Sequence, residues 1–311
     1  MMVINVKNLV KRYGDLIALD HFNLQVQEGE VLGLLGPNGS GKTTAINCIL
    51  SLLKYDKGSI EIYDQPMAPD AYAIKRNIGV VMQNVAVFNE LTVYENIDYF
   101  CGLYISDKQT RKKLVAEAID FVGLNDFTKF LPKKLSGGLL RRLNIACGIA
   151  HKPKLIILDE PTVAVDPQSR NSILEGIQKL NQQGATIIYT SHYMEEVEQI
   201  ASRIAIMDKG KIIAMGTNEE LKRMIKSGEH INLELLNAED LDLEAIKAIP
   251  DIISAELTDN QLVVTSSRGK NNLIVILDQL KAQQIAIGKV YSEPPTLNDV
   301  FLEITGKELR D

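Results

Sequence analysis

A glycine-rich run at residues 36–43 carries the residue types that bind the phosphate groups of nucleotides. It fits the G-x-x-x-x-G-K-[ST] pattern in full, follows the apolar run Val31–Leu35, and precedes a helical pattern at Thr44–Leu53. Backbone N–H groups of such a loop cradle phosphate oxygens, Lys42 can hold the β- and γ-phosphates, and Thr43 can offer its hydroxyl to Mg²⁺. An ordinary glycine-rich turn would not need that lysine and hydroxyl, so the run predicts a nucleoside triphosphate site. Its predicted binding residues are Gly36, Pro37, Asn38, Gly39, Ser40, Gly41, Lys42, Thr43 and Thr44.

A second motif is an apolar run, Leu155–Leu158, that ends in the two carboxylates of Asp159 and Glu160. Beside a phosphate loop, such a strand would bring Asp159 to the Mg²⁺, directly or through water. Glu160, one residue further on, could orient or deprotonate an attacking water. Taken alone, the ending would equally fit a strand that stops at the protein surface. Together with the phosphate loop, it predicts a catalytic pair.

A third motif is the run Leu-Ser-Gly-Gly-Leu-Leu-Arg-Arg at residues 135–142. Ser136, Gly137 and Gly138 would open a helix and offer backbone N–H groups, a hydroxyl and the positive end of the helix dipole to an anion. On its own the run could be only a helix cap with a flexible lead-in. Its place between the other two motifs indicates a role in phosphate binding.

The elements that position these motifs belong to an alternating pattern that extends from residue 1 to about 226. Short β-branched runs alternate with longer helical patterns, which predicts an α/β domain with a largely parallel sheet. The predicted strands are Met2–Val6, Val31–Leu35, Ile78–Met82, Leu155–Leu158, Thr186–Thr190 and Ile204–Met207, with a hairpin partner at Lys211–Met215. Helical signals dominate between about residues 92 and 145 and predict a helical insertion.

After residue 228 the pattern restarts and predicts a separate small domain over residues 228–311. The predicted order is strand Ile231–Leu236, helix Leu241–Ile249, a hairpin of Ile252–Leu257 with Gln261–Thr265, helix Asn272–Gln284, strand Ala286–Tyr291 and helix Thr296–Ile304. This βαββαβ order with a closing helix is typical of a ferredoxin-like α+β fold. Thr296 and Asp299 fit a capping box at the last helix. We find no catalytic constellation in this part of the sequence.

Bulk composition narrows the possible classes of protein. The 311 residues suggest about two domains, and the formal net charge of −6 argues against broad nucleic-acid binding. The three cysteines form no C-x-x-C pair and are expected to act as small apolar side chains in a reducing compartment. No apolar run approaches the roughly 18 residues of a membrane span, and the N-terminus has no signal-peptide pattern. We therefore expect a cytoplasmic protein whose membrane role, if any, requires a partner.

In order and spacing, these motifs closely resemble those of the ATP-binding subunits of ABC transporters. The family's Walker A motif matches residues 36–43, its signature matches 135–139, and its Walker B motif matches 155–159. The resemblance implies a phosphate-loop NTPase core with a helical signature subdomain. Further single-residue matches are Glu160 to the catalytic glutamate, Tyr13 to the aromatic that stacks on adenine, Gln83 to the Q-loop glutamine, Asp166 to the D-loop aspartate and His192 to the switch histidine.

The resemblance also implies the roles of these residues toward ATP and Mg²⁺. The implied catalytic residues are Glu160 as base, His192 at the γ-phosphate and attacking water, and Lys42, Gln83 and Asp166. The implied magnesium ligands are Thr43, Gln83 and Asp159. The sequence departs from the family at Leu139, where glutamine is most common, and at Val165, where leucine is commoner. Neither change touches a group that would handle phosphate or water.

Partners follow from the resemblance too. Two ATP molecules would be sandwiched between two subunits, in a homodimer or with a closely related ATPase, because the signature of one subunit faces the phosphate loop of the other. An integral-membrane permease would dock on the helical part, where Val85, Val87 and Phe88 suit such a contact or, equally, burial in the chain's own core. The subunit would then lie peripherally on the inner face of the membrane. No nucleic-acid partner is expected.

The segment Tyr291–Phe301 resembles the accessory domain of bacterial drug- and antibiotic-export ATPases, which favours export of a drug, antibiotic, lipid-like or peptide compound. The alternatives are an import-type transporter ATPase, a soluble ABC-type ATPase acting on ribosomes or DNA, and a regulator without turnover. The single ATPase cassette and the net negative charge of the chain argue against a soluble ABC-type ATPase that acts on ribosomes or DNA. The presence of Glu160 and His192 argues against a regulator without turnover.

Overall fold

The computed structural model describes residues 1–267, 269–270 and 272–306. Contacts between Cα atoms divide the chain into a first unit, Met1–Thr217, and a second unit that begins at Asn218. The sequence suggested this boundary near residue 226. The helix Asn218–Met224 instead belongs to the second unit, because it packs against the helix Leu297–Thr305. Within the described residues, no helix combines the length and the apolar character that a bilayer crossing requires.

The first unit combines two sheets with seven α-helices among its described residues. Its strands are β1 (Met2–Tyr13), β2 (Leu16–Gln27), β3 (Val31–Leu35), β4 (Lys57–Ile62), β5 (Gln65–Pro66), β6 (Ile78–Val81), β7 (Leu155–Asp159), β8 (Thr186–Ser191), β9 (Arg203–Asp208) and β10 (Lys211–Gly216). Its helices are α1 (Lys42–Ile49), α2 (Tyr72–Lys75), α3 (Val93–Gly102), α4 (Lys108–Phe121), α5 (Gly137–Ile149), α6 (Pro167–Gln182) and α7 (Met194–Ile200).

The central sheet has the strand order β10-β9-β3-β8-β7-β6. Neighbouring strands run parallel, except for the antiparallel hairpin of β9 and β10. The strands β3, β7 and β8 are buried along their whole length, as expected where helices cover both faces of a parallel sheet. The predicted parallel sheet with its closing hairpin is confirmed. The carboxyl ends of β3, β7 and β8 lie side by side at one edge.

An antiparallel sheet, ordered β2-β1-β4-β5, was largely missed by the sequence patterns. Only Met2–Val6 was expected, whereas β1 extends to Tyr13 and pairs with β2 and β4. Register shifts interrupt both pairings, and Asn8 and His21 adopt positive φ angles of 49° and 51°. Such bulges break the alternation of apolar and polar residues along β1, whereas residues 22–27 of β2 keep a strict alternation.

The helical insertion consists of α3, α4 and the signature helix α5. Their facing side chains form one apolar cluster, which includes Ile97, Cys101, Val115, Leu143 and Cys147. All three cysteines of the chain are buried free thiols, as the sequence predicted. Burial raises the pKa of the Cys101 thiol to about 11, so it stays neutral in the cluster.

The second unit is an antiparallel four-stranded sheet with helices. Its strands are β11 (Ser227–Leu235), β12 (Ile252–Thr258), β13 (Gln261–Ser267) and β14 (Ile287–Glu293), and its helices are α8 (Asn218–Met224), α9 (Leu243–Lys247), α10 (Leu273–Ala282) and α11 (Leu297–Thr305). The order β12-β13-β11-β14 places the first strand of the unit between its third and last strands, which is the predicted split βαββαβ arrangement. Asp259 and Asn260 both have positive φ and close the predicted hairpin.

An ion pair joins α11 to the sheet of the second unit. His230 Nε2 lies 3.1 Å from Asp299 Oδ2, while Asp299 also completes the capping box of α11 with Thr296. The Asp299 carboxylate raises the pKa of His230 against the opposing effect of burial. Burial favours the neutral acid at Asp299, but hydrogen bonds from His230 and Thr296 lower its pKa to about 2. The pair therefore stabilises the unit only where both groups are charged.

We predict that Asp299→Asn destabilises the second unit by about 1 kcal/mol at pH 5–6, because asparagine keeps the helix cap but not the ion pair. The folded-state pKa of His230 is raised, so this difference should be largest below about pH 6.5 and should shrink as pH rises through the folded-state pKa. Urea titrations followed by hydrogen exchange of β11 and α11 peptides measure it. Asp242→Asn, at the cap of α9, is the control and should show no such pH dependence. Equal pH profiles for the two variants would contradict the assignment.

Candidate active site

The phosphate loop connects β3 to α1 and depends on glycine at closely packed positions. A Cβ atom at Gly36 would collide with the carbonyl oxygen of Met207. One at Gly41, whose φ is 105°, would lie 2.7 Å from the carbonyl oxygen of Ala18. Glycine at these two positions therefore lets the loop pack tightly against its neighbours. The Ser40 hydroxyl is buried and has no hydrogen-bond partner among the described residues.

Helix α1 begins at Lys42, earlier than the predicted start at Thr44, and ends at Ile49. Its end is set by Ser51, which adopts a left-handed φ of 55°. The Lys42 side chain is only 6% exposed and folds back over the loop. Its ammonium donates to the carbonyl oxygens of Gly36 at 2.7 Å and Pro37 at 3.3 Å. The loop thus holds a buried positive charge at the position where the sequence predicted a phosphate contact.

Asp159 lies at the carboxyl end of β7, and both of its carboxylate oxygens accept hydrogen bonds. Thr43 Oγ1 donates to Oδ2 at 2.9 Å, and Thr190 Oγ1 donates to Oδ1 at 2.6 Å. Asp159 is completely buried. The two motifs that the sequence placed far apart therefore meet through the Thr43–Asp159 hydrogen bond. A hydroxyl and a carboxylate are oxygen ligands of the kind that Mg²⁺ prefers.

Glu160 follows Asp159 and holds its carboxylate between two positively ionisable groups. One oxygen lies 3.3 Å from Lys42 Nζ, and the other lies 2.8 Å from His192 Nδ1. The residue is 3% exposed and has a positive φ of 50°, which is uncommon for a residue other than glycine. Its N–H donates to the hydroxyl and the carbonyl oxygen of Thr190, at 3.0 and 3.2 Å. Backbone strain of this kind is concentrated at functional sites.

Tyr13 and Gln83 lie on segments that approach this edge of the sheet. Tyr13 ends β1 and is 48% exposed, with Lys11 Nζ 5.0 Å from its ring centroid. The strand that follows it passes the phosphate loop, because Ala18 lies against Gly41. Gln83 follows β6, the neighbour of β7, and its carbonyl oxygen accepts a hydrogen bond from Arg141 at 2.7 Å.

The signature and the D-loop lie against each other. Ser136 caps α5 by accepting a hydrogen bond from the N–H of Leu139 at 3.3 Å, and Ser136 and Gly137 are exposed. A Cβ atom at Gly138 would lie 2.6 Å from Ser169 Oγ and 3.2 Å from Asp166 Oδ2. Asp166 in turn caps α6 by accepting a hydrogen bond from Ser169, which lowers the pKa of its carboxyl. In the described part of the chain, no hydrogen bond connects Ser136 to the phosphate loop.

Three residues of this region were not singled out from the sequence for the roles that they have here. Thr190 positions both acidic residues, and Arg141 contacts the loops that follow β6 and β7. Glu196 is buried on α7 and accepts hydrogen bonds from Tyr189 at 2.6 Å, Thr162 at 2.8 Å and Ser191 at 3.0 Å. Two features of the sequence could have identified them. Thr190 is a threonine at the end of an apolar strand, and Arg141 and Glu196 are charged residues beside the buried face of a helix.

Comparisons with known proteins agree with this geometry. The ABC transporter family model matches residues 19–163, and the model of the C-terminal domain of ATP-binding proteins like DrrA1-3 matches residues 216–305. The chain is 36% identical to the linearmycin resistance ATP-binding protein LnrL of Bacillus subtilis (strain 168), over 99% of this chain and 100% of the relative. It is 33% identical to the daunorubicin resistance ATP-binding protein DrrA3 of Streptomyces coeruleorubidus, over 99% of this chain and 97% of that one.

Solved structures extend the agreement to the fold. The dimeric structure of a bacterial ABC transporter cassette matches 69% of this chain and 98% of its own, with a TM-score of 0.64 and 30% identity. The structure of an ATP-binding subunit of an ABC transporter matches 71% of this chain and 92% of its own, with a TM-score of 0.66 and 25% identity. The predicted phosphate-loop NTPase fold is therefore confirmed. The chain belongs to the ATP-binding subunits of ABC transporters, and among them it is homologous to the ATPases of drug and antibiotic export.

Proposed function

We propose that this ATPase hydrolyses MgATP between two copies of the chain, or with a closely related subunit, to drive a separate membrane permease. The permease would export an antibiotic-like compound, and the ATPase would work from the cytoplasmic face of the membrane. The observation that carries the proposal is the meeting of Lys42, Glu160 and His192 next to the Thr43–Asp159 pair. It joins a phosphate-binding charge, a candidate base and a candidate metal site at one edge of the sheet.

The residues at this edge fit ATP with Mg²⁺. Thr43 and Asp159 would hold the metal, with Gln83 as a further ligand from the neighbouring loop, and Mg²⁺ would neutralise charge on the phosphate oxygens. The loop from Gly36 to Thr44 would wrap the phosphates with its N–H groups, and the buried Ser40 hydroxyl, which has no hydrogen-bond partner among the described residues, is available there. Tyr13 would stack on adenine with its exposed ring.

Glu160 would act as the base that takes a proton from the attacking water. In this structure its carboxylate is 3.3 Å from the Lys42 ammonium, so one of its oxygens is engaged by the lysine. We infer that Lys42 turns toward the β- and γ-phosphates when ATP binds, so that Glu160 keeps only His192 as its side-chain partner. The base would then be free of the lysine charge only when substrate is present.

A second subunit would complete the site. The exposed Ser136 caps α5, and the exposed Gly137 is the first residue of that helix, whose N-terminal dipole favours an anion. Among the described residues, no hydrogen bond ties Ser136 to the chain's own phosphate loop. Ser136 and Gly138 would therefore close over the γ-phosphate held by a partner, and Asp166 would help to link the two sites. Loss of the γ-phosphate would remove the bridging anion and loosen the dimer.

The permease would dock beside an exposed aromatic group of the first unit. Phe88 is 42% exposed, and its ring centroid lies 4.9 Å from that of Tyr99 and 5.8 Å from that of Phe100. Val87, in contrast, packs against the cluster of the helical insertion. The exposure of Phe88 supports docking over core burial at that residue. The names of the relatives, which concern linearmycin and daunorubicin resistance and Nod factor export, support export of an antibiotic-like compound.

Replacing Thr190 by valine should weaken the apparent affinity for Mg²⁺ without unfolding the chain, because valine keeps the shape but removes the hydroxyl that orients Asp159. We expect the Mg²⁺ concentration for half-maximal ATPase activity to rise about tenfold. Thr186→Val is the matched control, since Thr186 is buried on the same strand but its hydroxyl bonds Gly29 instead. If the control shifts the magnesium titration as much as Thr190→Val does, the positioning of Asp159 is not the cause.

Replacing Glu160 by glutamine should lower ATP turnover by about 10³-fold and leave ATP affinity within about threefold, because only the base is lost. The variant should also accumulate as an ATP-bound dimer, which light scattering at saturating MgATP measures. The exposed Glu195→Gln on α7 serves as control and should behave like the wild type. The proposed mechanism would be contradicted if the Glu160 variant hydrolysed ATP at the wild-type rate, or if it remained a monomer at saturating MgATP.

A charge at Phe88 should uncouple transport from hydrolysis. We predict that Phe88→Glu abolishes compound resistance in cells carrying the intact transporter, while the purified subunit keeps its ATPase activity and melting temperature. Tyr72→Glu, an exposed aromatic on α2, should leave resistance intact. A Phe88 variant that melts early would favour a structural role of this ring instead.

A further inference from the structure

Arg141 is a buried arginine whose guanidinium is satisfied entirely by main-chain groups. It lies in the second turn of α5, the helix that begins at the signature, and is 3% exposed. A guanidinium has five N–H donors in a rigid fork. The acceptors are the carbonyl oxygens of Pro161 at 2.6 Å from Nε, of Gln83 at 2.7 Å and Met82 at 3.1 Å from Nη1, and of Glu160 at 2.6 Å and Asp159 at 3.3 Å from Nη2.

The acceptors belong to two segments that separate at the carboxyl edge of the sheet. The strands β6 and β7 pair in parallel as far as Val81 and Leu158, and the carbonyl groups beyond that point leave the ladder. The Arg141 side chain donates hydrogen bonds to carbonyl oxygens of both segments. It therefore continues the connection between the Q-loop and the Walker B end after strand pairing stops.

The charge of Arg141 is not used for an ion pair. Among the described residues, no carboxylate oxygen lies within ion-pair distance of its guanidinium, although burial of an unpaired charge is costly. Burial lowers the pKa of the guanidinium, and the nearby Asp159 and Glu160 charges oppose that effect. A lysine here could not satisfy five carbonyl groups, because it has three donors at a single point.

The contact with Glu160 bears on catalysis because it fixes an unusual backbone conformation. Thr190 holds the N–H of Glu160, and Arg141 holds its carbonyl oxygen, so both of its backbone polar groups are tied. Those ties hold the positive φ that aims the carboxylate at Lys42 and His192. One turn before Arg141, Gly138 lies against Asp166 and Ser169. The N-terminal end of α5 thus contacts the D-loop through Gly138 and fixes the backbone conformation of Glu160 through Arg141.

We propose that Arg141 is a positioning residue that transmits the placement of the signature helix to Glu160. Glu160 is aligned for hydrolysis when the beginning of α5 is held in place, and it loses alignment when α5 shifts. This inference rests on the proposed function, in which Glu160 is the base and α5 closes over a partner's ATP. Arg141 would then couple the closure of α5 over the partner's ATP to the alignment of Glu160 within the same subunit.

The test is a double-mutant cycle between Arg141→Lys and Glu160→Gln, with Arg142→Lys as the matched control. Arg142 is the next residue of the same helix and points toward Gly123, away from both loops. Single-turnover hydrolysis of radiolabelled ATP gives rate constants for all variants, and a fluorescent ATP analogue gives affinities. Arg141→Lys should lower the rate about 100-fold through misalignment of the base, with ATP affinity within about threefold. The control should stay near the wild-type rate.

In the Glu160→Gln background, Arg141→Lys should have almost no further effect, because its consequence passes through a base that is already absent. The proposal would be overturned if the rate of the double variant fell by the product of the two single losses. It would also be overturned if Arg141→Lys lowered ATP affinity together with the rate. Arg141→Gln is the second variant if the lysine form does not fold. Failure of both to fold would show that the guanidinium maintains the fold rather than the base, and would also overturn the proposal. A Glu160→Gln variant with wild-type turnover would instead refute the proposed function itself.

Discussion

A buried ammonium and a buried carboxylate 3.3 Å apart, Lys42 and Glu160, constrain the whole first unit. Neither charge has much water around it, so each must be compensated by fixed protein dipoles or by a partner. The carbonyl oxygens of Gly36 and Pro37 accept hydrogen bonds from Lys42, and His192 contacts the second carboxylate oxygen of Glu160. The strands β3, β8 and β7 run parallel and end together at one edge, which brings these groups within a few ångströms of one another. The geometry of the candidate site therefore depends on the sheet topology.

Much of the site was predictable because its motifs are local. The phosphate loop needs a fixed spacing between glycine and lysine, and the acidic pair needs an apolar strand immediately before it, so both are visible along the chain. Thr190, Arg141 and Glu196 act through residues that lie far away in sequence. Five carbonyl groups around one guanidinium leave no trace in composition or periodicity, because every residue has a carbonyl group.

The fold was predictable to the extent that elements keep a regular period. The buried strands β3, β7, β8 and β9 were found within about a residue of their ends, as was the βαββαβ order of the second unit. The strand β4 was missed because its first three residues are all exposed, whereas β2 was missed although residues 22–27 alternate strictly between buried and exposed positions. Helix α1 was placed too late because its first residue, Lys42, belongs to the predicted phosphate loop, and the sequence pattern assigns that residue to the loop.

The burial of every native thiol has a practical meaning beyond the packing of the core. Cys48, Cys101 and Cys147 lie in apolar surroundings, and burial raises the pKa of all three thiols, so their nucleophilic thiolate form is scarce at neutral pH. A cysteine introduced on the surface, for example near the signature, would consequently be the most reactive sulfur in the molecule. Spin labels or fluorophores could be attached there without first stripping the natural cysteines, which makes the opening and closing of an assembled pair accessible to distance spectroscopy.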